Sequence, residues 1–194
     1  MRKDIILCGV GGQGTVLASK LLCAAAMAKG LPVMSAETIG MAQRGGSVFS
    51  HLRLGEGVYS PMIALGSADL ILGFEPGEAV RQLPYLKPGG RVVVSSRPVM
   101  PVTASLTGGH YDVEEMLRCL RANVDRFTVV DAEKAMAELG SSRILNLLLL
   151  GAALRDGALG LTEEDLQSAI YEKIPEKYRE LNLRALSYYK KTVG

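Results

Sequence analysis

The chain has no tryptophan, only three phenylalanines, and just two histidines and three cysteines in 194 residues. Cys8, Cys23 and Cys119 are odd in number, widely spaced and form no C-x-x-C pair. That excludes a disulfide framework, a cysteine-rich zinc site and a self-contained iron–sulfur site. Such cysteines read as small buried hydrophobes in a reducing compartment. His51 and His110 stand far apart with no partnering cysteine or spaced carboxylates, so no metal site is expected. Charge of one sign is missing too. The formal net charge is +2, with residues 1–60 carrying +3, 61–140 −2 and 141–194 +1. This is not the footprint of a nucleic-acid binder. The longest apolar run, Ile144 to Leu154, is interrupted by Asn146 and falls short of the ~20 residues that span a bilayer. The six apolar residues after Met1-Arg2-Lys3-Asp4 are too few for a signal peptide. A cytoplasmic protein without membrane or nucleic-acid partners is expected.

What is present is a balanced composition, 48% hydrophobic and 22% charged, at a length that suits one domain. Ile5 to Val10 is a continuous apolar run ending in a glycine cluster, as in a parallel strand buried on both faces. A helix over 15–29 stops at Gly30, and a second strand over 32–36 completes a βαβ unit. Further strands are expected at 47–54, 68–73, 91–95 and 127–130, with helices at 77–86, 113–122 and 132–139. Residues 96–112 form the least regular stretch. After Gly140 the chain turns helical: Ser141 and Ser142 open an apolar helix to about Arg155. Thr162 caps the next, with Asp165 at the third position and Leu161 and Leu166 placed as a hydrophobic staple. Pro175 precedes a last helix over 176–191. The fold class is α/β, an open, mostly parallel Rossmann-like sheet with helices on both faces and a helical C-terminal region. One domain covers 1–194, with the sheet core in 1–140 and the helices of 141–194 part of the same unit.

Gly9-Val10-Gly11-Gly12-Gln13-Gly14 satisfies G-x-G-x-x-G between a strand and a helix, where the pattern has a mechanism. Gly9 allows a tight turn, Gly11 lets backbone approach a phosphate, and Gly14 lets the helix pack on the sheet. The free N–H groups of the helix start attract negative charge. No Gly-Lys-Ser/Thr follows, so it is not a Walker A loop. Glu37, at the end of the second strand, stands where a dinucleotide fold holds its ribose-binding acid, or is simply a solvated strand end. A second constellation, Gly40-Met41-Ala42-Gln43-Arg44-Gly45-Gly46-Ser47, frees the backbone to approach a ligand and offers a guanidinium for carboxylate or phosphate. It is expected to lie near the first loop. Glu75, after the fourth strand, sits at the sheet edge where ligands bind, or caps a helix. His51 reads as a structural residue, sharing a strand face with Phe49 and Arg53. The first helix is apolar nearly all round, so either neighbouring helices or another chain must cover it. The reading leans to a subunit contact. No nucleophilic catalyst is found.

In these segments and in Ser50-His51-Leu52-Arg53 the chain resembles the gamma-type subunits or domains of 2-oxoacid:ferredoxin oxidoreductases. The G-M-A-Q-R-G-G-S-V wording is most like the small (beta) subunits that serve indolepyruvate. The likeness continues through Gly73-Phe74-Glu75-Pro76 and the helix around Asn146 and Gly151, and so covers nearly the whole chain. It implies a subunit that completes the active site for oxidative decarboxylation to acyl-CoA, with no catalytic residues of its own. The large partner carries thiamine diphosphate, magnesium and iron–sulfur clusters, and ferredoxin is met only indirectly. This chain has no Gly-Asp-Gly diphosphate–magnesium motif. The residues expected to face coenzyme A or substrate are Gly9, Gly11, Gly12, Gln13, Gly14, Glu37, Gln43, Arg44, Gly45, Gly46, Ser47 and Glu75. A homodimer is expected when the partner is missing. Two rivals remain: a stand-alone NAD(P)- or flavin-binding Rossmann oxidoreductase, and a nucleotide-sensing module.

Overall fold

A computed structural model describes residues 2–37, 45–100 and 111–190. Strand β1 (Arg2–Val10) is buried from Asp4 onward because it runs through the middle of the sheet. Its side chains alternate between two cores. Ile5 and Leu7 enter the larger one, while Ile6 and Cys8 enter the smaller one on the opposite face. The other strands are β2 (Val33–Glu37), β3 (Ser47–Gly55), β4 (Ala68–Gly73), β5 (Leu86–Ser95) and β6 (Arg126–Val130), in the order β2-β3-β1-β4-β5-β6. β1, β4, β5 and β6 are parallel neighbours.

The exception is β3, antiparallel to both β1 and β2. The expected βαβ unit is therefore modified: β2 runs in the same direction as β1 but does not lie beside it. The chain returns from β2 as a long strand whose nine residues pair with β1 over its whole length, Arg2 opposite Gly55 through Val10 opposite Ser47. That register also sets Asp4 directly opposite Arg53.

Helices α2 (Pro76–Gln82) and α3 (Val113–Asn123) cover one face, with Ala79, Leu117 and Leu120 in the smaller core. The other face carries α1 (Thr15–Ala28) and α5 (Leu145–Arg155). Beyond them lie α4 (Ala132–Leu139), α6 (Glu163–Lys173) and α7 (Glu176–Leu186). This double layer explains the all-round apolar character of α1 and α5. Within the chain α1 packs against α5 and α6, and Lys29 Nζ reaches Asp165 Oδ2 of α6 at 2.8 Å. Helices of the same chain, rather than a second subunit, thus account for the buried residues of α1. In α5 every residue from Leu145 to Ala153 is buried. A Cβ on Gly151 would lie 2.1 Å from the Leu186 carbonyl oxygen, so the α5 and α7 backbones are in direct contact.

Several boundaries move for local reasons. α2 ends at Gln82, where Pro84 forces a short 3-10 turn over Leu83–Tyr85, and β5 starts earlier than expected, at Leu86. α5 starts at Leu145 with Ile144 as its N-cap, and Ser141 instead accepts from the Arg143 N–H at 3.2 Å. α7 stops at Leu186, followed by a 3-10 turn over Tyr188–Lys190. The capping box of α6 is complete: Thr162 N–H donates to Asp165 Oδ2 (2.7 Å) and Asp165 N–H to Thr162 Oγ1 (3.3 Å). Leu161 and Leu166 are both buried in the larger core.

Candidate functional site

The loop between β1 and α1 is held by one side chain. Gln13 Oε1 accepts from the Val10 N–H at 2.7 Å, and Gln13 Nε2 donates to the Phe74 carbonyl at 3.1 Å. Gln13 is therefore a strap tying the ends of β1 and β4 together. Gly9 makes room for it: a Cβ there would stand 2.7 Å from both Gln13 Oε1 and Phe74 Cβ. The left-handed conformations fall on Gly12 (φ 100°) and Gly14 (φ 90°), so the sharp turn belongs to them and not to Gly9. Gly11 N–H donates to the Gly46 carbonyl at 2.9 Å, which brings the second glycine segment against the first as expected. Gln43 and Arg44 lie outside the described residues.

Over this loop opens a cavity of about 550 Å³ at the carboxyl edge of the sheet. One wall is the Val10–Gly14 backbone with Gly45. The opposite wall is Arg97 and Val99, following β5, together with Ser142, Arg143 and Asn146 at the entrance to α5. Two helix starts converge here: neither N-cap residue, Gly14 of α1 nor Ile144 of α5, offers a side-chain cap, although Asn146 Oδ1 accepts from the Leu147 N–H at 3.0 Å. Two helix starts and two arginines therefore line one space, an arrangement suited to an anion, with Arg97 Nη1 lying 3.6 Å from Met136 Sδ. Gly14 is required by its φ of 90°, since a Cβ there would meet the Asn146 side chain only at an ordinary contact distance of 3.4 Å. Sequence reasoning missed Arg97, Arg143 and Ser142 as site residues. They come from segments distant in sequence that only the return of the chain to the sheet edge brings together.

The remaining candidates are engaged elsewhere. Glu75 is 1% exposed and caps α2: its Oε2 accepts from the Glu78 N–H at 2.9 Å, and its Oε1 accepts from Tyr111 Oη. Burial, reinforced by Glu75, pushes the Tyr111 hydroxyl well above the usual tyrosine range. Ser47 Oγ donates to Glu78 Oε2 at 2.5 Å, and Arg81 holds the other oxygen of Glu78 at 3.0 Å. Glu37 ends the edge strand β2, with β3 standing between it and the glycine loop. In a dinucleotide-binding sheet the acid-bearing strand lies next to β1. The inserted β3 breaks that geometry, which is the physical reason the NAD(P) reading is not favoured. His51 is structural: Ile63 N–H donates to its Nδ1 at 3.2 Å, and its ring packs edge-on against Phe49 and Tyr85.

The chain is thus an open α/β subunit whose glycine loop and arginine-lined cavity lie at the carboxyl edge of the sheet, where such sheets bind ligands. Residues 4–188 match the family model of pyruvate ferredoxin/flavodoxin oxidoreductase. Indolepyruvate oxidoreductase subunit IorB of Thermococcus kodakarensis is 40% identical over 184 residues, which is 94% of this chain and 91% of the relative. Pyruvate oxidoreductase subunit PORC of Thermotoga maritima shares the fold at a TM-score of 0.70 and 23% identity, covering 96% of this chain and 94% of that one. The 2-oxoglutarate:ferredoxin oxidoreductase of Magnetococcus marinus gives a TM-score of 0.70 at 22% identity. It covers 97% of this chain and 30% of that one. The chain belongs to the pyruvate ferredoxin/flavodoxin oxidoreductase family. It is a small subunit of a multi-subunit 2-oxoacid:ferredoxin oxidoreductase, similar to the indolepyruvate subunits.

Proposed function

We propose that this subunit serves an enzyme that oxidatively decarboxylates an aryl 2-oxoacid such as indolepyruvate to its acyl-CoA. In this reading the cavity over Gly9–Gly14 docks the anionic part of coenzyme A or of the 2-oxoacid. The observation that carries it is the convergence of Arg97, Arg143 and two helix starts on one space of about 550 Å³. The Magnetococcus marinus neighbour, in which this fold is about a third of the chain, was solved with 2-oxoglutarate, coenzyme A and succinyl-CoA bound. That supports a site of this kind near the shared fold.

The redox chemistry belongs to the partner subunit, which supplies thiamine diphosphate, magnesium and the iron–sulfur clusters that pass electrons to ferredoxin. The cysteines of this chain do not fit a cluster. Cys8, Cys23 and Cys119 sit on β1, α1 and α3, and burial, with Glu78 and Glu75 nearby, pushes the Cys8 thiol well above its usual range. Reconstitution of both subunits with indolepyruvate, phenylpyruvate and pyruvate, with and without coenzyme A, tests the reading. Turnover should need both subunits and coenzyme A and be fastest with an aryl substrate. Turnover by this chain alone, or a preference for pyruvate, contradicts it.

A further inference from the structure

At the opposite, amino edge of the sheet lies a small cavity of about 110 Å³ lined by Lys3, Asp69, Lys87, Arg91 and Arg126 beside the backbone of Gly157. Strand alternation puts Lys3 on the face of Ile5 and Leu7, Arg91 on that of Val93, and Arg126 on that of Val130. All three thus project on the side of the larger core, at one end. Asp69 stands at the irregularity between Ala68 and Leu70, where the register of β4 against β5 shifts.

The cavity carries an excess of positive charge. Asp69 is taken by Lys87 and by the Asp4 N–H (2.8 Å). Arg91 pairs with Asp156 at 3.5 Å, and Asp156 also accepts from Thr128 (2.6 Å) and meets Arg155 (3.4 Å). Among the described residues no carboxylate pairs with Lys3 or Arg126. Arg126 is moreover set directly beside Arg91 in the β5–β6 register. Like charges directly opposite on neighbouring strands are unfavourable. An anion between them would turn that repulsion into charge-assisted hydrogen bonds.

We propose that this cavity is a second anion site, separate from the glycine-loop cavity, which takes one tetrahedral oxyanion: a phosphate ion or the phosphoryl end of a monoester. The volume admits such a group and excludes the body of a nucleotide, which would have to hang into solvent. The guanidinium of Arg126 supplies a donor fork and Lys3 a point charge, while Arg91 and Lys87 screen the acids already present.

The test titrates the whole chain with inorganic phosphate at constant ionic strength, balanced with sodium chloride. It follows the backbone amide signals of Gly89 and Gly157 and the thermal midpoint. Saturable shifts at these two glycines and a rising midpoint are expected. Lys3→Gln with Arg126→Gln should weaken the affinity by at least about tenfold, while the midpoint in phosphate-free buffer is held or raised as the Arg91–Arg126 repulsion is relieved. Lys3→Arg should keep the affinity. Adenosine 3′-monophosphate, shifting the same amides, distinguishes the source. Tighter binding than phosphate identifies the end of a larger ligand, and equal or weaker binding a free ion. An equal effect of chloride, full retention by the double variant, or shifts confined to Gly12 and Gly14 would overturn the proposal.

Discussion

Gly11 and Gly46 are joined by a backbone hydrogen bond of 2.9 Å, N–H of the first to the carbonyl of the second. This bond locks two glycine-rich segments, one before a helix and one before a strand, into a single wall. It also continues the nine-residue β1–β3 pairing at the carboxyl edge, so the cavity wall and the antiparallel insertion share this contact.

The wall is kept in shape by Gln13, and the strap can be tested directly. Gln13→Leu removes partners from the Val10 N–H and the Phe74 carbonyl and should cost about 1–3 kcal/mol. Gly9→Ala should cost about the same through a methyl forced against Gln13 and Phe74. Denaturant unfolding of each variant measures both. A double variant less destabilised than the two losses added together would show that they act on one feature.

Two glycines of the C-terminal region separate steric from conformational need. Gly151→Ala drives a Cβ into the Leu186 carbonyl, a backbone atom that cannot rotate away, and should destabilise by ~3 kcal/mol. Gly157 has φ 64° and open space around it, so Gly157→Ala should cost only ~1 kcal/mol of backbone strain. Thermal unfolding should rank Gly151→Ala clearly below Gly157→Ala.

The Asp4–Arg53 pair should be worth far more than a surface ion pair. Its side chains are 4% and 12% exposed. The guanidinium also donates to the carbonyls of Ser60 and Met62 at 3.0 and 3.2 Å. Arg53→Ala leaves Asp4 buried with only Arg2 as a partner and should cost about 3–5 kcal/mol. The same change should free the 59–65 loop, where Tyr59 is 92% exposed, so faster proteolysis there is the second readout.

Acid should weaken the fold over two pH ranges. Burial pushes the Asp4 carboxyl up, but hydrogen bonds and charge from Arg53 and Arg2 outweigh it and hold the group below the ordinary 3.8. Its contribution is thus complete above that value and lost as pH falls through the lower folded-state pKa. His51 is displaced in the other sense: burial, helped by Arg53, lowers it below 6.5. The unfolded chain then binds the proton more readily, so stability begins to fall as pH drops below 6.5. Replacing His51 with Asn, whose amide oxygen can still accept from Ile63, should flatten the stability–pH curve just below 6.5 and leave the Asp4 step.

Much of the fold was legible because its signals are local. The apolar run of β1, the Thr162 cap and the Pro175 break each act within a few residues. The glycine loop was legible as a loop but not in its parts: nothing local shows that the Gln13 amide bridges the ends of β1 and β4 as well as lining the cavity. β3 was read as a strand, but its direction depends on long-range pairing that no local pattern encodes. Arg97 and Arg143 carry no motif. They become site residues only because β5 ends, and α5 begins, at the edge where the loop lies.

In the proposed function the cavity between the glycine loop and Arg97 and Arg143 docks the anionic part of a substrate inside the assembled enzyme. The most direct test is the KM for coenzyme A and for the 2-oxoacid, measured in the two-subunit enzyme carrying Arg97→Ala with Arg143→Ala. Lost charge-assisted hydrogen bonds should raise one of the two KM values by about tenfold or more, with assembly intact and kcat far less affected. Both KM values unchanged in a fully assembled variant would contradict the account.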